Sequence, residues 1–467
     1  MPFPRRRHLA SSPHIERIAN GPAMVGRSGA SKKRETNVLK RIARALLQPS
    51  LFSRILLLTS SSIVAQLIVI VFLPIVSRLF SPAELGVAAL VTAVLNFSIP
   101  VICLRYDGAL PLARRSADAA RLVWICVASA VVAGLAIYVA FRILQANDLL
   151  GFGILPGWTH WVILASCPGI ASFAFAQAWW VRRHNTALIG VNLILRPIAH
   201  NGTRVVAGVA GGGVIGLMIA EAAMALAPLY MAFRMPWGRI LQFAGPRARL
   251  LTVARQWRRF PLIEGPSTLL DSFVVFLPIP MVAMLYGPQV AGLFAIALRI
   301  GSIPIGQLGT AISNATYMAF SEAARRGDHE RMISLFYRML KRILVVGLFP
   351  MAALAVCGPI LAAPILGSAW ADTGIYLALL TPWLYAQLAI APLTRVISVL
   401  QRQPLKLISD FTFLAAMILS YWIARRFELN VEQYVMFLSI LMVISYSIYF
   451  AVLHWALILG PRNSSDH

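Results

Sequence analysis

Residues 55–77 read ILLLTSSSIVAQLIVIVFLPIVS, an apolar run without a single charged side chain. A bilayer hydrocarbon core about 30 Å thick takes roughly 20 helical residues at about 1.5 Å each, so this run is long enough to cross. Runs of similar length follow at 84–104, 122–144, 158–180, 186–209, 213–233, 262–285, 289–313, 343–366, 374–400, 405–424 and 433–458. The sequence therefore predicts an all-α integral membrane protein with about twelve transmembrane helices. The composition agrees: 59% hydrophobic, 13% charged, mean hydropathy +0.74, values of a membrane protein rather than a soluble one.

The basic residues set an orientation. With the N-terminus placed in the cytoplasm, of the 42 Lys and Arg only Arg78, Arg142, Arg204, Arg425 and Arg426 fall in the opposite loops, and Arg196, Arg299 and Arg395 fall inside spans. The rest gather on the side of the termini. By the positive-inside rule both termini face the cytoplasm, which for a bacterial chain means the inner membrane. The same bias accounts for the net charge of +25. No nucleic-acid partner is implied, because the charge flanks spans and forms no aromatic-interleaved surface.

Residues 1–50 are a basic tail rich in Arg, Ser, Pro and Gly, with no apolar run of signal-peptide length. Within it Leu39, Ile42, Leu46 and Leu47 share a helical face beside Lys40, Arg41 and Arg44, a segment suited to lie on anionic lipid; Met24 is an alternative start. The four cysteines are isolated and show no metal-ligand spacing. Loops are too short for a folded catalytic domain, and no nucleophile–base or phosphate-loop pattern occurs. The sequence thus predicts neither an enzyme nor a cofactor, beyond a possible coupling H⁺ or Na⁺.

An internal repeat organises the chain. Leu79-Phe80-Ser81-Pro82-Ala83-Glu84-Leu85-Gly86 opens the second span, and Leu285-Tyr286-Gly287-Pro288-Gln289-Val290-Ala291-Gly292 opens the eighth, 206 positions later. Ser81, Pro82 and Glu84 make a helix start: N-cap, proline at the first position and a carboxylate reaching back. Ala113-Arg114-Arg115 and Ala324-Arg325-Arg326 repeat at an offset of 211. The pattern predicts a tail (1–50), a six-helix half (51–235), a cytoplasmic linker (236–261), a second six-helix half (262–460) and a short tail (461–467). An even number of spans gives the halves one orientation, with a central cavity between them, as in several secondary transporters.

The stretch LFSPAELG…LRYDGALPLA, Leu79 to Ala113, resembles the S-P-x-x-[FL]-G turn and R-Y-[ED]-x-A-[IL] helix end of Wzx-type polysaccharide flippases, with Arg105, Tyr106, Asp107, Ala109 and Leu110 at the matching positions. Arg258-Arg259-Phe260-Pro261 through Ala295-Ile296-Ala297-Leu298-Arg299 and Pro304 is similar to a second block of that family, and Gln177 to Arg183 matches its W-x-x-R turn loosely. The resemblance covers residue 51 to the end. It implies the multidrug/oligosaccharidyl-lipid/polysaccharide exporter fold. It also implies a polyprenyl-pyrophosphate-linked oligosaccharide as cargo, flipped from the cytoplasmic to the outer leaflet by alternating access. Glycosyltransferases or a polymerase of the same pathway are the implied protein partners.

Charges inside spans mark the candidate site, since one at mid-bilayer costs about 2.5–3.5 kcal/mol on insertion scales unless it faces a cavity or a partner. Arg299, Arg196, Arg395, Arg105 and Arg78 are the candidates for pyrophosphate or glycan, for which a planar guanidinium is suited; Arg78 and Arg105 sit at membrane boundaries and are as readily snorkelling anchors. Asp271, Glu264, Glu221 and Asp410 are the candidates for ion coupling. From depth alone, Arg299 is expected to meet Asp271, Arg196 to meet Glu221, and Arg395 to meet Asp410. Glu264 and Asp271, seven residues apart, are expected on one helical face. Equally, each pair could merely pin two helices. Trp179, Trp180 and Trp383 read as interfacial belt residues. Pro278 and Pro280, in the span of Asp271, make that span the expected bending element. Two other functions compete: a multidrug or cation antiporter of the same superfamily, which wants an acid-dominated cavity, and a glycan polymerase or ligase, which wants a large outward loop.

Overall fold

The computed structural model describes residues 51–460 apart from 244–245, 401 and 403. The amphipathic segment of the N-terminal tail, Met24 and the last seven residues lie outside the described residues. Residues 51–55 are helical, and the packed body runs from Leu56 onward.

The main helices are α1 (Leu51–Leu79), α2 (Pro82–Ile102), α3 (Ser116–Ala146), α4 (Thr159–Arg182), α5 (Thr186–Val209), α6 (Gly213–Leu226), α7 (Gly265–Phe276), α8 (Pro278–Arg325), α9 (His329–Leu366), α10 (Ala371–Ile390), α11 (Pro404–Phe427) and α12 (Val431–Leu459). Among the described residues, ten stretches are long and apolar enough to cross a membrane. One of them, Phe260–Ile303, is 44 residues long, roughly 66 Å of helix and about twice a hydrocarbon core. It turns at Gly287, whose φ of 82° and ψ of 177° no side-chain-bearing residue adopts readily. Residues 278–286 thus complete one crossing begun by α7, and 288–325 make the next. Helix α5 falls outside the ten because Asn192, Arg196, His200, Asn201 and Arg204 load it with polar groups. Counting both corrections, the described residues form an all-α membrane bundle of twelve crossings.

Start residues act as the sequence predicts. Ser81 caps α2: its Oγ accepts from the Glu84 N–H at 3.3 Å, and the Ser81 N–H donates to Glu84 Oε2 at 2.8 Å, a closed capping box behind Pro82. The repeat itself has a spatial cause. A Cβ on Gly86 would lie 1.8 Å from the Pro288 carbonyl oxygen, and a Cβ on Gly292 would lie 1.9 Å from the Pro82 carbonyl oxygen. The two Pro-x-x-x-Gly turns therefore cross each other reciprocally, each glycine beneath the other's proline carbonyl. Small residues are what let two membrane helices approach this closely.

Other contacts close the same end, opposite the terminal face, on which α12 finishes at Leu459. Ser77 Oγ donates to Leu366 O at 2.9 Å and Trp370 Nε1 to Ser77 O at 2.7 Å. Tyr286 OH donates to Leu429 O at 2.8 Å. On the terminal face, the stretch expected as a plain linker is helical at Trp237–Gln242 and Arg247–Gln256. It packs on the first six helices, with Trp237 edge-on to Trp124 and Phe175.

Candidate functional site

Helix α5 carries the polar groups. Asn192, Arg196, His200 and Arg204 recur every four residues, which places them along one ridge of a helix. Pro197 removes one backbone donor from the ladder, and Asn201 donates its amide to the Pro197 carbonyl at 2.8 Å. The ridge turns inward: His200 is 3% exposed and Arg204 5% exposed.

Glu221, on α6, is fully buried and is the hub of this cluster. Its Oε1 accepts from Arg204 Nη2 at 2.6 Å and from His200 Nε2 at 2.8 Å, which fixes the His200 proton on Nε2. Glu221 Oε2 is buried without a hydrogen-bond partner. His200 and Arg204, but not Glu221, reach the wall of a cavity of about 450 Å³. The wall is completed by α2 (Thr92, Asn96), α8 (Arg299, Ser302), α10 (Trp383, Gln387), α11 (Phe413) and α12 (Tyr446). This size falls in the range of ligand-binding pockets. Arg299 lies within electrostatic reach of Arg204 and Glu221, yet forms no ion pair among the described residues. The cavity is therefore lined by two guanidiniums and a histidine, and its one neighbouring carboxylate is covered. The rest of the lining is mostly apolar, with a few hydroxyl and amide groups and the rings of Trp383, Phe413 and Tyr446 set into it.

Depth-based pairing fails at each of the three predicted contacts. Arg299 does not meet Asp271; Asp271 instead takes Lys406 Nζ at 2.6 Å on both oxygens. Arg196 does not meet Glu221; it lies over the Phe173 ring at 4.4 Å, in a small pocket beside Asn96 and outside the main cavity. Arg395 does not meet Asp410; it is exposed and donates to Ser313 Oγ at 3.3 Å, while Asp410 faces Lys406 Nζ at 3.4 Å. Glu264 and Asp271 keep their seven-residue helical spacing, since Gly265–Phe276 is α-helical behind a helical Glu264, but they do not share partners: Glu264, at the end of the π turn Phe260–Glu264, faces Arg105 at 3.6 Å. Arg105 also lies 3.7 Å from Asp107, in a left-handed backbone turn at the end of α2. Arg78 donates to Pro364 O at 3.4 Å. Pro278 and Pro280 are buried and withdraw two backbone donors, but the helix runs on through Leu277, which keeps helical angles (φ −63°, ψ −32°), donates to Phe273 O at 2.9 Å and accepts from the Met281 N–H at 3.1 Å.

Sequence reading missed Arg204, His200, Lys406 and Trp383. The charge count over the sequence puts Arg204 in an outer loop and Lys406 in an inner one; both lie inside helices. Trp383 lines the cavity rather than an interfacial belt. The available signal was the four-residue spacing: Arg196, His200 and Arg204 on α5, and Lys406 with Asp410 on α11.

Asp271, Lys406 and Asp410 form a second cluster with two carboxylates to one ammonium. Removing the ammonium leaves Asp410, 4% exposed, without its cation. Lys406→Met is expected to destabilise the protein by about 1–3 kcal/mol, less than the cost for a fully dry pair because Asp271 is partly exposed. The double variant with Asp410→Asn should recover most of that loss. Thermal unfolding in detergent checks both; equal melting of Lys406→Met and the parent would show that the cluster carries no stability.

No curated protein matches the chain. An inward-facing multidrug resistance MATE family transporter of the MOP superfamily superposes with a TM-score of 0.61 at 17% identity, covering 86% of this chain and 95% of that one. A MATE in complex with MaL6 gives 0.55 at 14% identity over 87% and 96%. A MOP superfamily transporter from Pyrococcus furiosus, described by the reverse polarity of its binding pocket, gives 0.54 at 16% identity over 87% and 96%. These likenesses establish the fold. The sequence profile described as "Polysaccharide biosynthesis protein" matches residues 75–374, so the chain belongs to that family and carries it on a MOP-type transporter fold.

Proposed function

We propose that the protein is a flippase that moves a polyprenyl-pyrophosphate-linked oligosaccharide from the cytoplasmic to the outer leaflet by alternating access. The observation that carries this reading is Arg299. It is a guanidinium on the wall of a central cavity, across from Arg204, with no carboxylate of its own. Intramembrane charge without a partner is costly, and a planar fork is suited to a diphosphate. Membership of a polysaccharide biosynthesis family supports a saccharide cargo. In this reading the terminal face is cytoplasmic, in line with its excess of basic residues, and the protein sits in a bacterial inner membrane. The lipid tail stays in the bilayer while the head group occupies the cavity. Glycosyltransferases that build the cargo, and a polymerase that uses it, are the partners this role calls for.

Helix α7 is the bending element in this scheme. It buries no side chain completely, is entered through a π turn, and is tied by ion pairs to Arg105 at its entry and to Lys406 midway. The surplus carboxylate among Asp271, Lys406 and Asp410 offers a place for a coupling H⁺ or Na⁺.

The cavity weighs against cation export, because its acid is covered and its bases are not. It also differs from a polymerase: the outward segment between α3 and α4 is a compact turn, Leu149–Ile154, whose Gly151 abuts the Met284 backbone. The deciding experiment is a proteoliposome assay with the purified chain. A polyprenyl-diphosphate glycolipid labelled on its sugar should cross the bilayer, whereas a cationic dye should not be pumped. Dye transport without glycolipid crossing would replace this reading with the antiporter.

A further inference from the structure

We infer that Glu221 and His200 make ligand binding proton-linked: a diphosphate takes Arg204 away from Glu221, and the freed carboxylate takes up a proton that it shares with His200. The inference rests on the diphosphate reading of the cavity and extends it to the residues behind the wall. Arg204 and His200 stand on the wall, while the carboxylate they both serve stands behind it. Both donors converge on one oxygen of Glu221, and its other oxygen is buried without a donor. A carboxylate normally spreads its partners over both oxygens. Here one acceptor position is vacant, so a proton has a place to bind without displacing either neighbour.

Arg204 is held from one side only. One nitrogen, Nη2, meets Glu221, and its Nε is buried without a partner, so the fork keeps donors for a phosphate. A diphosphate diester brings two negative charges opposite Arg299 and competes for that fork. Once it succeeds, Glu221 faces a like charge in a dry site with its counter-ion turned away, the condition that disfavours an ionised carboxylate. The proton comes from water in the cavity and goes to the Glu221–His200 pair; no bond in the ligand is made or broken. The charged or titratable groups facing the pair are Arg204 on α5 and Arg299 on α8, and each member of the pair faces the other. The two act as a coupled unit, so the proton belongs to the pair rather than to one residue.

The test uses the full-length chain in nanodiscs and dimethyl pyrophosphate, whose own acid groups are ionised throughout the neutral range. Binding is followed by titration calorimetry in two buffers of different protonation enthalpy. The expected result is uptake of close to one proton per ligand, with affinity weakening about tenfold per pH unit across the range where the pair exchanges its proton. Glu221→Gln should bind with the same heat in both buffers and lose that pH slope. Buffer-independent heat in the native chain, or a buffer dependence that survives Glu221→Gln, would overturn the proton linkage while leaving the diphosphate site standing. Failure of the native chain to bind the probe at all would remove the diphosphate reading and this inference with it. The native comparison decides the matter even if the variant does not fold.

Discussion

Arg299→Ala is expected to lower transport of a polyprenyl-diphosphate glycolipid by about thirtyfold or more, with protein level and melting temperature close to those of the parent. The size follows from what is lost. A bidentate guanidinium–phosphate contact in a desolvated site is a pair of charge-assisted hydrogen bonds, and truncating one such partner costs about 2–5 kcal/mol. The stability expectation follows from what is not lost: Arg299 forms no ion pair among the described residues, so its removal orphans no carboxylate. Arg299→Lys keeps the charge but not the fork, and should retain more activity than alanine while staying about tenfold below the parent. Arg196→Ala is the contrast. Its guanidinium lies over Phe173 outside the main cavity, so its effect should stay within about tenfold, the scale of one cation–π contact. The readout is the initial rate of glycolipid crossing, normalised to folded protein. Normal rates for Arg299→Ala would place the diphosphate elsewhere.

That Arg299 lies inside a span was legible in the sequence; how it is surrounded was not. Hydropathy locates crossings because the bilayer sets one length scale, and the boundaries of α5 agree with the sequence to the residue (Thr186–Val209). The turn at Gly287 was legible too, since proline and glycine punctuate helices by covalent constraint alone. Side-chain partners are a different problem. Position along a span gives depth and leaves rotation about the helix axis free, so residues at equal depth meet only when their helices present the right faces. Depth itself can slip as well: Glu221 is met by His200 and Arg204, about one and two turns further along α5 than the Arg196 that the sequence sets level with it. Lys406 was hidden for another reason: a lysine next to Pro404 reads as a loop charge, whereas here the helix begins at that proline and carries Lys406 inward to Asp271. The histidine gave no signal by itself. Its meaning appears only when the four-residue spacing from Arg196 through His200 to Arg204 is taken as one ridge.

The second large effect is expected at the crossing of α2 and α8. The cavity is lined by Leu85 and Gly292, so the reciprocal contact of Gly86 with Pro288 and of Gly292 with Pro82 forms its roof on the side away from the termini. Alternating access requires that roof to part and re-form. In Gly86→Ala the new methyl carbon would sit 1.8 Å from a carbonyl oxygen, and in Gly292→Ala 1.9 Å; in both, the clash is with backbone, which cannot rotate aside. The helices must separate, and overpacking of this kind costs about 1–3 kcal/mol, a shift of roughly 5–150-fold in the equilibrium between closed and open roofs. Each variant should therefore lose transport by about fivefold or more while still folding, because the strain is relieved in the open state. The two substitutions wedge one and the same contact, so the double variant should be far from additive: once the first methyl has parted the helices, the second meets little. A cysteine at Asn96, inside the cavity, reports the shift. Its labelling by a membrane-impermeant maleimide from the outer side should rise in both glycine variants and rise no further in the double. Unchanged labelling together with lost transport would mean that the glycines serve packing alone and that the roof opens elsewhere.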